Sequence, residues 1–226
     1  MKAYISQNAD KRILDTLRQE GFEIVPLAPF SALSHPVDTH ADMLLCAAED
    51  TVFVHENYQC DLQDLENIVK INENISNKYP HDVPLNIAIV GKNAFANVKF
   101  ASKTIIEHLK NEGFAIHHVA QGYAHCSTCI VSDSAIITAD IGISEKALKT
   151  GIDVLLISSG GISLPPYEYG FIGGSCGSHD NKIYFCGSLK YHADGGKIRD
   201  FCEKHGKSVI ELCDAPLIDV GGILFK

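Results

Sequence analysis

The stretches that decide the fold are ILDTLRQEGFEIVPL at residues 13–27 and IIEHLKNEGFAIHHV at residues 105–119. Each is typical of an amphipathic helix, a glycine that ends it and a buried strand, and the two agree almost residue for residue. The pattern recurs as KALKTGIDVLLI at residues 146–157 and as IRDFCEKHGKSVIEL at residues 198–212. Repetition of this kind predicts a fold built from copies of one supersecondary unit.

Glycine has a physical role in this pattern, because the residue that follows a helix often adopts a positive φ, where other side chains are strained. The expected helix ends are Gly21, Gly113, Gly151 and Gly206. A fifth, weaker copy lacks the glycine: it predicts a helix near residues 62–75, a loop rich in proline and histidine, and a strand at residues 86–90. The predicted helices begin near residues 11, 62, 102, 144 and 197, which is a period typical of repeat folds.

A short hairpin is predicted after three of these units, with turn residues of the Asp, Asn and Ser type. The predicted hairpins span residues 39–54, 126–138 and 174–185. The last unit, residues 219–226, is one strand short, and the amino-terminal strand at residues 2–6 is expected to complete it. We therefore predict an α/β fold, a five-bladed αβ-propeller with pseudo-fivefold repeats, as one domain over residues 1–226.

Composition excludes several classes of function. The chain is 46% hydrophobic and 21% charged with a net charge of −9, so a nucleic-acid partner is not expected. Apolar runs fall short of the roughly 18–20 residues of a membrane span, and no secretory signal is recognisable, so we expect a cytoplasmic protein without a membrane partner. Eight scattered cysteines are then expected to be reduced thiols. The glycine-rich stretches match no nucleotide-binding motif, and no cofactor is predicted.

The five-unit rhythm, together with His40-Ala41-Asp42 and the glycine pairs Gly173-Gly174 and Gly221-Gly222, resembles the pentein superfamily. Its αβ-propellers include arginine deiminases, amidinotransferases, agmatine deiminases and dimethylarginine hydrolases, and the overall likeness is closer to an uncharacterised bacterial family of this fold. The resemblance implies attack by a Cys thiolate on a guanidinium carbon, with His as general acid and base. Carboxylates would hold the guanidinium nitrogens, because a planar cation with several N–H donors is best matched by carboxylate oxygens.

The chain departs from the family at the nucleophile. Family members carry the reactive cysteine in the last unit, whereas this chain ends in Gly221-Gly222-Ile-Leu-Phe-Lys226. Strand alternation nominates Cys126 instead, because the repeat places it at the position of His40 and directs it toward the central channel. By the same alignment Cys129 and Cys176 should point outward. His40 and Asp42 are two residues apart along a predicted strand, so both side chains are expected on one face, pointing toward the same channel. The predicted catalytic residues are Cys126, His40 and Asp42, acting on a small cationic guanidine or amidine.

A loop rich in aromatic and glycine residues, at residues 167–174, precedes the third of these hairpins. Its acidic side chain suits a cation, and its glycine pair lets a ligand or another backbone approach closely; a bulge that only turns the chain is also consistent. The residues predicted to bind substrate are Tyr123, Glu168, Tyr169, Phe171, Gly173 and Gly174.

Other interpretations of these residues remain open. His40 and Asp42 are equally typical of a structural capping pair, and Cys126-x-x-Cys129 beside His125 resembles half of a zinc site. Since no second pair follows, no metal is predicted. Asp140 and Asp219 are each consistent with a second site carboxylate or with a cap, and Asp140 has the position of a helix cap.

The missing terminal cysteine also leaves a second function open. The chain is consistent with a pentein that has lost catalysis and binds a small molecule or a protein, as the ribosome anti-association factors of this fold do. The side chains around the central cavity distinguish the two, because catalysis needs a sulfur next to a His nitrogen and facing carboxylates.

Overall fold

The computed structural model of the chain describes residues 1–62, 65 and 67–226. These residues form a mixed α/β fold of small sheets and short helices. The helices are α1 (Lys11–Gln19), α2 (Ala41–Leu44), α3 (Lys103–Asn111), α4 (Ile141–Leu148) and α5 (Gly195–Lys204). In the described part of the chain, no helix is both long and apolar enough to cross a bilayer.

Five of the sheets have three strands and share one order: an inner strand, a middle strand antiparallel to it, and an outer strand parallel to the middle one. In the first sheet, the middle strand is β1 (Lys2–Ser6) and the outer strand is β2 (Glu23–Leu27). The inner strand, β17 (Leu224–Phe225), comes from the carboxyl end of the chain. In the order inner, middle, outer, the others are β3 (Leu45–Ala48), β4 (Thr51–His55) and β5 (Asn67–Ile71); β6 (Ala88–Val90), β7 (Asn93–Ala96) and β8 (Ala115–His118); β9 (Thr128–Ser132), β10 (Ala135–Thr138) and β11 (Asp153–Leu156); and β13 (Cys176–His179), β14 (Lys182–Phe185) and β15 (Ser208–Glu211). A sixth sheet pairs β12 (Ile162–Ser163) with β16 (Leu217–Ile218).

The helix–glycine–strand units are confirmed. The glycines after α1, α3, α4 and α5 all have positive φ, at +93° for Gly21, +78° for Gly113, +84° for Gly151 and +72° for Gly206. Each helix lies between the middle and outer strands of its sheet and buries one apolar face, as α1 does with Ile13 and Leu17. A helix that links two parallel strands covers one face of the sheet, which is why the repeat produces the same unit each time.

Two boundaries differ from the prediction. Residues 67–71 of the predicted helix at 62–75 form strand β5, and Gln63, Asp64 and Glu66 lie outside the described residues. The apolar spacing there fits a helix, but β-branched residues and a parallel partner in β4 favour a strand. Helix α4 begins at Ile141 rather than near 144, because the Asp140 carboxylate accepts a hydrogen bond from the Ile143 amide at 2.8 Å.

The two ends of the chain meet in one sheet. Strand β1 pairs with β17 through Ala3 and Phe225 and with β2 on its other side. The Lys2 amide donates to the Lys226 carbonyl at 2.7 Å, and the Lys226 amide donates to the Lys2 carbonyl at 3.0 Å. The amino-terminal strand therefore completes the last unit, as the sequence predicts.

All five inner strands border a single cavity. Neighbouring contacts run from β6 to β9, from β9 to β13 and from β13 to β17. Residues of β3, β6, β9, β13 and β17 line a space of about 210 Å³ between them. The chain segments that enter these strands are thereby brought together, and the polar residues of the candidate site lie on these segments.

Candidate functional site

Four chain segments converge where the inner strands begin; we call residues 39–42, 124–128, 173–175 and 219–222 the hub. Backbone hydrogen bonds join them: the Asp42 amide donates to the Gly221 carbonyl at 3.0 Å, and the Gly174 amide donates to the Cys126 carbonyl at 3.1 Å. The Gly222 amide donates to the Gly174 carbonyl at 2.7 Å. The contact needs glycine, because a Cβ on Gly221 would lie 2.1 Å from the Cβ of His40.

Two cavities border the hub. The strand cavity, of about 210 Å³, lies between the inner strands and includes Asp42, His125 and Gly173 in its lining. The aromatic cavity, of about 280 Å³, is reached by the loop at residues 164–171. Its lining includes six of the predicted site residues: His40, Tyr123, Cys126, Glu168, Tyr169 and Phe171. Asp219 lines the same cavity.

The remaining predicted residues lie elsewhere in the hub. Asp42 borders the strand cavity instead of the aromatic cavity. Gly173 packs against the backbone, since a Cβ there would lie 2.3 Å from the His125 carbonyl oxygen. A Cβ on Gly174 would lie 2.0 Å from Oδ1 of Asp219. Around these two glycines the space is filled by the protein itself, which matches the alternative of close backbone approach.

The expectation that His40 and Asp42 share one strand face is wrong. Residues Ala41–Leu44 form the helical turn α2, and β3 begins only at Leu45. His40 is the extended residue before this turn, with φ −73° and ψ 126°. The change of backbone from extended to helical separates the two side chains, so that His40 lines the aromatic cavity and Asp42 the strand cavity.

Cys126 also precedes its strand, since β9 begins at Thr128. Its position is fixed by Asn86, whose Nδ2 donates to Sγ of Cys126 at 3.0 Å and to the Asp42 carbonyl at 3.0 Å. Oδ1 of Asn86 accepts from the amides of His125 at 2.7 Å and Cys126 at 3.2 Å. Strand parity therefore does not apply to Cys126, and the turn places the thiol in the cavity. Cys129, which lies on β9, packs in an apolar cluster with Cys176.

Two carboxyl groups are buried in the hub. Asp42 is 2% exposed and Asp219 is 4% exposed. Oδ2 of Asp219 accepts from the Phe171 amide at 2.8 Å and Oδ1 from the Gly221 amide at 2.9 Å, with Nδ1 of His40 at 3.7 Å. Neither oxygen of Asp42 has a hydrogen bond of standard geometry among the described residues.

Burial shapes the charge of this site. It raises the pKa of Asp219 to about 6 and, together with the charge of Asp219, raises the pKa of Asp42 well above its usual range. It lowers the pKa of His40 to about 4, so this imidazole is neutral at pH 7. Burial and the nearby charges of Asp42 and Asp219 raise the pKa of the Cys126 thiol, which keeps its proton at neutral pH.

Aromatic rings form one wall of the aromatic cavity. The ring centroid of Tyr123 lies 6.1 Å from that of Phe171 and 5.6 Å from that of Tyr79. The Tyr123 hydroxyl donates to Oδ2 of Asp82 at 2.6 Å. Asp82 is itself 7% exposed, so this bond fixes the ring from a buried position.

Sequence reasoning missed two contributors to the site. Asn86 and Asp82 are distant in sequence from the motifs, although a polar residue inside the apolar run at 85–90 is a signal for Asn86. The sequence suggests His125, next to Cys126, only as part of a zinc site. The sequence is consistent with Asp219 and Asp140 each as a site carboxylate or a cap, and it gives Asp140 the position of a cap. Asp219 lies in the hub, and Asp140 caps α4. Among the described residues, no three His, Cys, Asp or Glu side chains are placed to hold a metal ion.

A family model with the description "Family of unknown function (DUF6873)" matches residues 4–224. No curated protein matches the chain. Among solved structures, DDAH from Pseudomonas aeruginosa complexed with citrulline is similar over 93% of this chain and 91% of its own, with 10% identity and a TM-score of 0.55. An agmatine deiminase from C. jejuni is similar over 95% of this chain and 87% of its own, with 13% identity and a TM-score of 0.54.

An amidinotransferase from Microseira wollei is also similar, over 89% of this chain and 72% of its own, with 10% identity and a TM-score of 0.52. These three proteins are members of the pentein superfamily, and the predicted resemblance to it is confirmed at the level of fold. At such low identities the likeness concerns the fold alone. The chemistry of this chain has to be argued from its own hub.

Proposed function

The chain belongs to the DUF6873 family, and we propose that its aromatic cavity and the adjoining hub bind a small guanidinium or amidinium cation. The observation that carries this proposal is the pair of buried carboxyl groups of Asp42 and Asp219. They are close enough for the charge of Asp219 to raise the pKa of Asp42, and both oxygens of Asp42 lack a hydrogen bond of standard geometry.

Buried carboxyl groups without a cation are costly, and buried charges in proteins are normally paired. A planar cation with several N–H donors supplies the charge that this pair lacks and donors for the oxygens of Asp42. Nδ1 of His40 lies 3.7 Å from Oδ1 of Asp219, but burial lowers the pKa of His40 to about 4, so it does not neutralise this carboxylate at pH 7. A bound cation is expected to lower the pKa of both acids.

The fold neighbours support the same class of ligand. The names of these neighbours refer to dimethylarginine, agmatine and amidino-group transfer, which all involve guanidino or amidino groups. We further propose that the five three-stranded sheets are the blades of a pseudo-fivefold αβ-propeller. Their common strand order, the shared strand cavity and the pairing of β1 with β17 support this arrangement.

The test is binding of n-butylguanidinium measured by isothermal titration calorimetry. We expect saturable binding to the wild-type protein, weakened at least tenfold by Asp42→Asn and by Asp219→Asn, because each replaces a carboxyl group that would pair with the cation by a neutral amide. Asp214→Asn is the matched control, since this exposed carboxylate pairs with Lys190 outside the hub. Absence of binding at millimolar concentration, or equal affinity in all three variants, would contradict the proposal.

A second candidate, catalysis, is favoured by the placement of the Cys126 sulfur, His40 and Asp219 around one cavity. In this reaction Sγ attacks the guanidinium carbon, and the C–N bond breaks as the leaving amine takes up a proton. Water then displaces the sulfur and regenerates the thiol. The raised pKa of Cys126 opposes the first step, and a bound cation favours it by stabilising the thiolate.

Release of ammonia, amine or urea from a panel of guanidines separates catalysis from binding. Turnover that is lost in Cys126→Ser, with n-butylguanidinium binding retained, would identify an enzyme. Binding without turnover would leave the non-catalytic function.

All eight cysteines are free in the structure, and six of them are buried. Two of the buried thiols, Cys129 and Cys176, lie near each other without a disulfide. We propose a reducing compartment such as the cytoplasm, because thiols persist there. Quantifying the free thiols of protein purified without reductant tests this.

A further inference from the structure

From the charges and rings of the aromatic cavity we infer that its ligand is a cation without a carboxylate group, carrying an alkyl chain or substituent. This inference rests on the proposed function and narrows it to a substrate class. It excludes free amino acids such as arginine as the preferred ligand. Two independent features of the lining support it, one electrostatic and one aromatic.

The first feature is the sign of the charges. Glu168 and Asp219 contribute carboxylates to the lining, and His40 is its only basic side chain among the described residues. Because burial lowers the pKa of His40 to about 4, the imidazole has no positive charge at neutral pH. The described residues that line the aromatic cavity include no lysine or arginine, the side chains that usually bind carboxylates in proteins.

The carboxylate of an arginine-like ligand therefore finds no positively charged partner among the described residues of this cavity. Its guanidinium group would meet the buried acids, while its carboxylate would enter a space that already contains Glu168 and Asp219. Like charges at close range repel, and removing a carboxylate from water without a partner is unfavourable. A ligand with the same guanidinium and no carboxylate avoids both penalties.

The second feature is the aromatic wall. The ring centroids of Tyr79 and Phe171 lie 5.6 Å and 6.1 Å from that of Tyr123. Tyr167 and Tyr169, the sequence neighbours of Glu168, line the same cavity. The hydroxyl of Tyr123 is already bound to Asp82, which leaves the face of its ring for contact with a ligand. Aromatic faces attract cations and also pack against alkyl groups, so this wall suits an alkylated cation.

The size of the cavity agrees with a small ligand. Its volume of about 280 Å³ lies at the lower end of the range typical of small-molecule pockets. Tyr167 and Tyr169 are 53% and 41% exposed, which places their rings where the cavity meets solvent. The expected ligand has its cationic group toward Asp219 and Cys126 and its apolar part toward these tyrosines.

The experiment compares n-butylguanidinium with L-arginine, which adds an amino-acid group to a similar chain, by calorimetry at pH 7.5. We expect the wild-type protein to bind n-butylguanidinium at least tenfold more tightly than L-arginine. Tyr123→Leu should weaken n-butylguanidinium about fivefold by removing the ring, and Tyr123→Phe, which keeps the ring, should weaken it less. Tyr191→Leu changes an exposed tyrosine that lies outside the cavity lining and should leave the affinity unchanged.

The outcomes separate this inference from the proposed function. If L-arginine binds as tightly as n-butylguanidinium, the proposed function stands and the exclusion of carboxylates is wrong. If Tyr123→Leu and Tyr191→Leu behave alike, the role of the aromatic wall is wrong. If neither compound binds, the proposed function fails, and this inference fails with it. Circular dichroism of each variant shows whether it is folded. If Tyr123→Leu is unfolded, the affinity of Tyr123→Phe for n-butylguanidinium relative to L-arginine still tests the inference.

Discussion

The glycines at the helix ends and those of the hub perform different tasks in the same chain. Around Gly21, Gly113, Gly151 and Gly206, a Cβ would meet no atom within 4 Å, and these residues are needed only for their positive φ. In the hub, a Cβ on Gly174 would lie 2.0 Å from Asp219 and one on Gly221 would lie 2.1 Å from His40. The glycines at the helix ends therefore have free space where a Cβ would lie, whereas in the hub that space is occupied by neighbouring atoms.

This difference explains where the chemistry lies. The repeated units share helix, glycine and strand, so their outer parts are alike. The equivalent hub positions contain different residues: His40 in one unit, Cys126 in another and Gly174 in a third. A repeated frame thus places dissimilar side chains at one point, and the site arises from what the units do not share.

The largest expected effect is that of Gly174→Ala. The added methyl would overlap the Asp219 carboxyl group, and we expect the free energy of unfolding to fall by about 3 kcal/mol. Urea denaturation followed by circular dichroism measures the change. Gly196→Ala in α5 is the control, because a Cβ there meets nothing within 4 Å and alanine favours a helix. Equal stability of the two variants would show that the hub is not tightly packed.

The second prediction concerns pH and the hub carboxylates. Burial raises the pKa of Asp219 to about 6, and only its ionised form attracts a cation. Affinity for n-butylguanidinium should therefore rise about tenfold between pH 5 and pH 7 and then level off. By linkage, the cation should release protons when it binds near pH 6. Calorimetry across this range measures the profile, and the same profile in Asp219→Asn would contradict the assignment.

Much of the frame follows from sequence, because a helix stop and a buried strand leave local signatures. The unit around α3 is an example, with Ile105 and Leu109 buried and Gly113 ending the helix. The hub follows from sequence only in part. The turn Ala41–Leu44 overrides the strand alternation expected for His40 and Asp42, and local propensity did not indicate it.

Long-range contacts account for the rest. Asn86 holds Cys126 across 40 positions, and Asp219 meets the Phe171 amide across 48 positions. The pattern of a single segment does not predict these pairings, because they depend on how the sheets pack together. The same holds for Asp82 and Tyr123, whose hydrogen bond spans 41 positions. Sequence therefore predicts which segments carry site residues better than it predicts their partners.

A smaller effect is expected for Gly113→Ala at the end of α3. Alanine is strained at a φ of +78°, but no neighbouring atom obstructs the methyl. We expect a loss of about 1 kcal/mol in the free energy of unfolding and no change in n-butylguanidinium affinity. Thermal and urea denaturation measure the loss. A loss as large as that of Gly174→Ala would remove the distinction between the outer units and the hub.

The smallest effect distinguishes Asp140 from Asp219, two aspartates that the sequence allows either as site carboxylates or as caps. Oδ1 of Asp140 accepts from the Ile143 amide at 2.8 Å and caps α4, a role that asparagine fills almost as well. Asp140→Asn should change the free energy of unfolding by less than about 0.5 kcal/mol and leave cation affinity within twofold. Asp219→Asn removes a hub charge and should weaken binding at least tenfold. Equal losses of affinity in the two variants would mean that long-range charge, and not contact in the hub, governs cation binding, since both substitutions remove one negative charge.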